Sequence, residues 1–301
     1  MDYLEYLAFR LAVWCLNRLP ENWSRCICRA LGRFVGRVLG VRWRVARAQL
    51  AAVFPAWSAS ELDTIAGRVY EHLGESVAET FCCLPGRLLA SVTVEPGWAP
   101  LDEAMAPGRG VIVVTAHLGN FELGGRVLAA RYPLLDVVKP MRNTLFDRFL
   151  KQVRNGYNIA TVAMDAAGPA VIRHLRDGGL VTLLVDQDAG RQGVRTDFLG
   201  LPASTWTGAA RLAIRTGCPV IPVGILRQDD GTHVMYLGGR LDAADLSMSA
   251  VDIEEFTARI SASVETFIRE RPEQWFWVHR RWKGAKEAHM LDSDSLAKGS
   301  S

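Results

Sequence analysis

His117 and Glu122 stand five positions apart in the stretch Val111–Arg126, VIVVTAHLGNFELGGR. An imidazole touched by a carboxylate makes a general base: the acid fixes the ring tautomer and raises its basicity. On one continuous helix five positions turn by about 140°, so the two side chains would not share a face. Across a strand–turn–helix corner they converge, and the neighbouring residues supply such a corner. Val111–Thr115 is an apolar, β-branched run that reads as a short buried strand. Gly119-Asn120 reads as a turn, with Asn120 as the N-cap of an apolar helix from Phe121. Glu122 then falls in the first helical turn, where the helix dipole favours a negative charge. The site would lie at the carboxyl end of a strand, where open α/β sheets hold their ligands. The competing reading is structural: a histidine satisfied at a strand end and a glutamate that only answers the dipole.

Three further clusters carry charge. Val185–Leu201, VDQDAGRQGVRTDFLGL, reads as a glycine-rich loop after a buried strand. Its glycines let backbone approach a ligand, and a guanidinium such as Arg191 grips phosphate through two hydrogen bonds. Asp186 and Asp188 would hold the arginines or bind a metal; otherwise this is a charged surface loop. Leu135–Asn143, LDVVKPMRN, places Lys139 and Arg142 after another strand. In a parallel sheet these lie on the edge that carries His117 and Arg191. Three basic groups facing one cleft suit an anionic substrate, such as a phosphorylated lipid or a phosphopantetheine thioester, unless Lys139 merely snorkels. Pro272–Lys283, PEQWFWVHRRWK, mixes three tryptophans with basic residues. That fits a lipid–water interface, core packing, or both.

The elements that must position these groups follow the same logic. Residues 3–19 are apolar and helix-like. Arg25, Arg29, Arg33 and Arg37 then recur every four residues, a basic stripe among apolar positions that suits an interfacial helix on an anionic membrane. A solvated helix face is the alternative. Ser58 and Glu61 form a capping box for a helix running to Cys83. From Ser91 strands alternate with helices. Strands are expected at 92–94, 111–115, 135–138, 158–162, 180–185, 220–225 and 234–237. Helices are expected at 98–105, 121–131, 145–154, 169–176, 207–216 and 253–270. This predicts an α/β fold, a mostly parallel central sheet flanked by helices, preceded by amphipathic membrane-associating helices. Residues 1–284 are read as one domain, with 1–50 on the membrane and 91–284 as the α/β core, and 285–301 as a flexible tail.

Composition limits the choices. Apolar residues make up 49% of the 301 positions, enough for a large core with apolar surface to spare. A net charge of +3 is not that of a general nucleic-acid binder, and no nucleic-acid partner is expected. The six cysteines form no metal-ligand spacing and suit a reducing compartment. No metal or other cofactor is expected. No cleavable signal or membrane-spanning run is read. No Gly-x-Ser-x-Gly elbow, Walker loop or dinucleotide fingerprint occurs in context. A metal-dependent hydrolase built on His117, Glu122, Asp186 and Asp188 stays open as a second class, and a non-catalytic lipid-binding protein as a third.

Taken together, the stretches AHLGNFE, VKPMRN, DQDAGRQGVRTDFLGLPAST, CPVIPVGI and PEQWFWVHRRWK resemble the lipid A biosynthesis acyltransferases, within the wider glycerolipid acyltransferase group. The resemblance runs from about Tyr3 to Lys283. It implies transfer of an acyl chain from acyl carrier protein, or coenzyme A, to a hydroxyl of a glycolipid at the cytoplasmic face of a bacterial inner membrane. It implies His117 and Glu122 as the catalytic dyad, with Lys139, Arg142, Asp188 and Arg191 binding substrate and no acyl-enzyme.

Overall fold

A computed structural model describes residues 2–106 and 108–283, so the expected tail at 285–301 lies outside the described residues. Five helices come first: α1 (Asp2–Leu16), α2 (Glu21–Arg37), α3 (Trp43–Val53), α4 (Ala59–Phe81) and α5 (Pro85–Ala90). Ser58 caps α4 as expected, accepting from the Glu61 amide while the Glu61 carboxylate accepts from the Ser58 amide. The alternating part follows as β1 (Val92–Glu95), α6 (Ala99–Met105), β2 (Val111–Thr115), α7 (Phe121–Ala129), β3 (Leu134–Val138), α8 (Thr144–Asn155), β4 (Ile159–Ala163), α9 (Ala167–Arg176) and β5 (Leu180–Leu184). Then come β6 (Val194–Phe198), β7 (Leu201–Thr205), α10 (Gly208–Thr216), β8 (Val220–Arg227), β9 (His233–Leu237) and α11 (Ala250–Glu270).

Seven strands form one sheet in the order β1-β9-β8-β2-β5-β3-β4. All neighbours are parallel except β8 and β9, which form an antiparallel hairpin. β2 and β8 are buried along their whole length, as central strands covered on both faces must be. The expected α/β architecture is therefore present, with no helix among the described residues long and apolar enough to cross a membrane.

Two expectations change. The stretch after Asp188 is more ordered than a glycine-rich loop: a 3-10 turn, Gly190–Gln192, leads into the antiparallel pair β6 and β7. Thr196 and Phe198 face inward while Arg195 and Asp197 face out, the alternation of a half-buried strand. The basic stripe of α2 also turns the other way. Arg25 bonds Glu75 and Glu79, and Arg33 bonds Glu71, so these arginines face the acidic ladder of α4. Gly32 and Gly74 allow this close approach, since a Cβ on either would collide with a carbonyl of the other helix. The outward stripe of α2 is apolar: Trp23, Ile27, Leu31, Phe34 and Val38 are exposed, as are Leu4, Leu7, Leu11 and Trp14 on α1.

Candidate active site

Sheet register builds the site. Thr115, the last residue of β2, pairs with Leu184, the last of β5. The Val185 amide donates to the Thr115 carbonyl at 3.0 Å, so the two chains leave the sheet side by side. Two residues beyond each partner stand His117 and Asp186, which therefore meet across the carboxyl edge. Asp186 Oδ1 accepts from His117 Nδ1 at 2.8 Å, and Oδ2 accepts from the His117 amide at 2.9 Å. The Trp275 indole also donates to Oδ2 at 2.8 Å.

The tautomer follows from these partners. An ionised carboxylate only accepts, so Nδ1 carries the proton. Nε2 is left as an acceptor and faces the Gln187 amide nitrogen at 3.3 Å. Burial alone would lower the His117 pKa. The charge and hydrogen bond of Asp186, with a smaller contribution from Glu122, outweigh it and leave the pKa raised. Burial would likewise raise the Asp186 pKa. The facing imidazole and the donors from His117 and Trp275 instead hold it down at about 2. The His117 side chain keeps 23% of its exposure while that of Asp186 keeps 2%. The ring is thus reachable from outside and its acid is not.

Glu122 occupies the place expected of it, in the first turn of α7, whose N-cap Asn120 accepts from the Leu123 amide at 3.0 Å. Its partner is not His117. Arg154 of α8 holds its carboxylate with two bonds, Nη2 to Oε1 at 2.5 Å and Nε to Oε2 at 3.1 Å. The expected imidazole–Glu122 contact is thus replaced by imidazole–Asp186. The ring leans instead against Phe121 and Phe276, with centroids 5.2 and 6.0 Å away. Asp136 lies 4.0 Å from Arg154, and burial, only partly offset by that charge, pushes its pKa up to about 6. A small recess is lined by Glu122, Asp136, Arg154, Thr115 and Thr182.

Lys139 and Arg142 follow β3, which runs parallel to β5, so they lie past the same sheet edge as His117. Both are exposed, as is Arg191 on its 3-10 turn. Among the described residues, none of the three bonds to His117 or Asp186. Asp188 is half-buried, and its Oδ1 has no partner among the described residues. The metal-site alternative lacks its geometry: Asp186 spends both oxygens on protein donors and Glu122 is turned to Arg154. Among the described residues no cluster of His, Cys, Asp or Glu is arranged to hold a metal. The tryptophans of Pro272–Lys283 are core residues: Trp275, Trp277 and Trp282 are buried, and so is Arg281, which donates to the Ser204 carbonyl and the Thr205 hydroxyl.

The residues missed by sequence reasoning as parts of the site are Asp186 as the imidazole's partner, Gln187, Arg154 and Trp275. Asp186 was open to discovery. Both apolar strands are followed at the same distance by a polar residue, and pairing β2 with β5 sets those residues opposite each other.

Comparison with known proteins decides what this geometry belongs to. Residues 1–284 match the family model for the bacterial lipid A biosynthesis acyltransferases. The chain belongs to that family. It is 27% identical to the lipid A biosynthesis palmitoleoyltransferase of Escherichia coli K12 over 277 residues, 90% of this chain and 88% of that one. It is also 27% identical to the lipid A biosynthesis lauroyltransferase of the same organism, over 91% of this chain and 90% of that one. A phosphatidylinositol mannoside acyltransferase of Mycolicibacterium smegmatis is 26% identical over 65% of this chain and 63% of its own. As a member of this acyltransferase family the chain is a transferase, and His117 sits where its sheet would hold a substrate.

Proposed function

We propose that the protein moves an acyl chain from a thioester of acyl carrier protein, or of coenzyme A, to a hydroxyl of a lipid A precursor, with His117 as general base. The observation that carries this is the bond from Nδ1–H to Asp186, which leaves the Nε2 lone pair, facing the Gln187 side-chain amide, as the ring's basic site. In the reaction the acceptor hydroxyl gives its proton to Nε2 as its oxygen attacks the thioester carbonyl. The new C–O bond forms, the C–S bond breaks, and the imidazolium returns its proton to the leaving thiolate. Asp186 stabilises the imidazolium in between, as in any carboxylate-backed base. Glu122 acts through Arg154 rather than on the ring.

Transfer is direct, without an acyl-enzyme. Burial pushes the Cys82 and Cys83 thiols up to about 11 and about 12, which disfavours the thiolate a nucleophile requires. Lys139, Arg142 and Arg191, exposed near the site's sheet edge, grip acceptor or donor phosphate, with Asp188 beside them. The outward apolar stripes of α1 and α2 enter the lipid interface, so the protein is peripheral or monotopic on the cytoplasmic face of the inner membrane. Of the α2 arginines, Arg25 and Arg33 are engaged by α4 rather than by that contact.

The test is acyl transfer by the purified chain from acyl carrier protein or coenzyme A thioesters to a lipid A precursor. Positioned base catalysis contributes about 10²–10⁴-fold, so His117→Ala should lose about that much. Near-normal transfer by His117→Ala would defeat the mechanism. The mycobacterial relative supports a second reading, a different membrane glycolipid as acceptor. Mass spectrometry of glycolipids from a deletion strain separates the two by showing which lipid lacks an acyl group.

A further inference from the structure

We propose that His72 and Glu79 of α4, braced by Arg227 of β8, are positioning residues for acyl transfer, holding the turn Gly119-Asn120 so that the adjoining His117 stays against Asp186. This rests on the reading of His117 as the base. The turn has little freedom of its own. Gly119 has φ +57°, and a Cβ there would collide with the Ile225 carbonyl. Its amide donates to the Gln274 carbonyl at 3.0 Å. Its carbonyl accepts from His72 Nε2 at 3.2 Å. The next residue, Asn120, uses Oδ1 to cap α7 and donates Nδ2 to Glu79 Oε2 at 2.9 Å. Two consecutive residues, two and three positions after the base, are therefore held by side chains about two turns apart on α4.

Those side chains are themselves fixed. Arg227 donates to Glu79 from Nε at 2.8 Å and from Nη2 at 2.7 Å, and to His72 Nδ1 from Nη1 at 2.6 Å. Because His72 Nδ1 accepts, Nε2 must carry the hydrogen that Gly119 receives. Burial first, and then the Arg227 charge, push the His72 pKa down to about 3, so the ring stays a neutral donor at working pH. Arg25 of α2 adds a bond to Glu79 at 3.0 Å.

A buried ion cluster is weak evidence for stability, because a well-packed apolar substitute does as well or better. What this cluster provides that apolar packing cannot is direction. Each of the two bonds ends on a particular atom of the turn that carries the base. A displacement of about 1 Å at a reacting group can cost about 10²-fold.

The experiment uses the full chain in detergent micelles with an acyl thioester and a lipid A precursor. Asn120→Ser keeps an oxygen to cap α7 but replaces the Nδ2 donor to Glu79 with a single, shorter hydroxyl. His72→Leu loses the donor to Gly119, and His72→Gln restores one. For Asn120→Ser and His72→Leu we expect kcat to fall by roughly 10- to 100-fold, with the KM for thioester within about twofold. The His117 pKa, read by NMR, should drift down from its raised position as the ring slips from Asp186, with Glu122 and His279 the other titratable groups acting on it. His72→Gln should recover most of kcat and of that pKa. If His72→Leu does not fold, Asn120→Ser gives both readouts alone. Variants that unfold at lower temperature yet keep the wild-type kcat and His117 pKa would overturn the proposal, as would His72→Gln behaving like His72→Leu. Failure of the underlying mechanism looks different: there His117→Ala itself would stay active.

Discussion

Replacing Asp186 by Asn keeps the shape of the side chain and removes its charge, and the surrounding donors dictate how the amide must sit. Oδ2 takes two hydrogen bonds, from the His117 amide and the Trp275 indole, whereas Oδ1 takes one. The amide oxygen will therefore occupy the Oδ2 position and turn its NH₂ toward His117 Nδ1. That makes Nδ1 the acceptor and moves the ring proton to Nε2, the atom required as base. The charge is lost as well. Two unit charges about 4 Å apart interact by about 4 kcal/mol at an effective dielectric of about 20. At about 1.4 kcal/mol per tenfold, losing that stabilisation of the imidazolium slows transfer by about 10³-fold. The assay is single-turnover transfer across pH. The wild-type rate should fall as the pH drops through the raised His117 pKa, because the base form is lost by protonation. In Asp186→Asn burial acts on the ring against only the smaller charge effect of Glu122, so the remaining acid limb should move to lower pH. A variant within tenfold of the wild type, with its acid limb unmoved, would refute the reasoning.

Other outcomes follow from the same contacts. Glu122→Gln should move the His117 pKa, read by NMR, much less than Asp186→Asn does, because Glu122 bonds Arg154 and only adds a distant charge to the ring. Asp136, raised to about 6, is bound more weakly by the fold when ionised. Its contribution is fully present below the unfolded value near 4 and is lost as pH rises through about 6, at most about 3 kcal/mol. Thermal melts of Asp136→Asn should thus gain on the wild type between about pH 4 and about pH 7, and a constant gap would contradict this. Charged substitutions in the exposed stripe, such as Leu31→Glu with Phe34→Glu, should weaken sedimentation with lipid vesicles while leaving the circular dichroism unchanged. Chelators should leave transfer rates as they are.

Much of this was readable from residue order. The runs Val111–Thr115 and Leu180–Leu184 announce central strands because both faces are covered and every position is apolar or a buried threonine. Asn120 and Ser58 announce helix starts because a side-chain oxygen on each can accept from a first-turn amide. The corner that presents His117 was legible for the same reasons. What sequence spacing does not contain is which strand lies beside β2. Glu122 is near in the chain, but Asp186, 69 positions away, is near in the sheet. The β6–β7 pair was hidden by its alternating charges, which look like a loop until one face is seen to be buried. The α2 stripe misled for a similar reason: periodicity finds two faces but does not say which meets a neighbour, and the glutamates that answer it lie in another helix. The tryptophans of the last segment read as interfacial or as core because arginines sit among them; they are core, and Arg281 is buried with its own carbonyl and hydroxyl acceptors.

The reach of Arg25 from α2 to Glu79 has a practical edge. A chain trimmed of its first two helices to make it easier to handle in water would shed the greasy stripes that call for detergent. It would also leave Glu75 and Glu79 short of a counter-ion, and Glu79 is the group that grips Asn120. Solubility gained that way would come with a slackened catalytic turn, so a shortened protein that looks well behaved on a sizing column is a poor stand-in for the working enzyme.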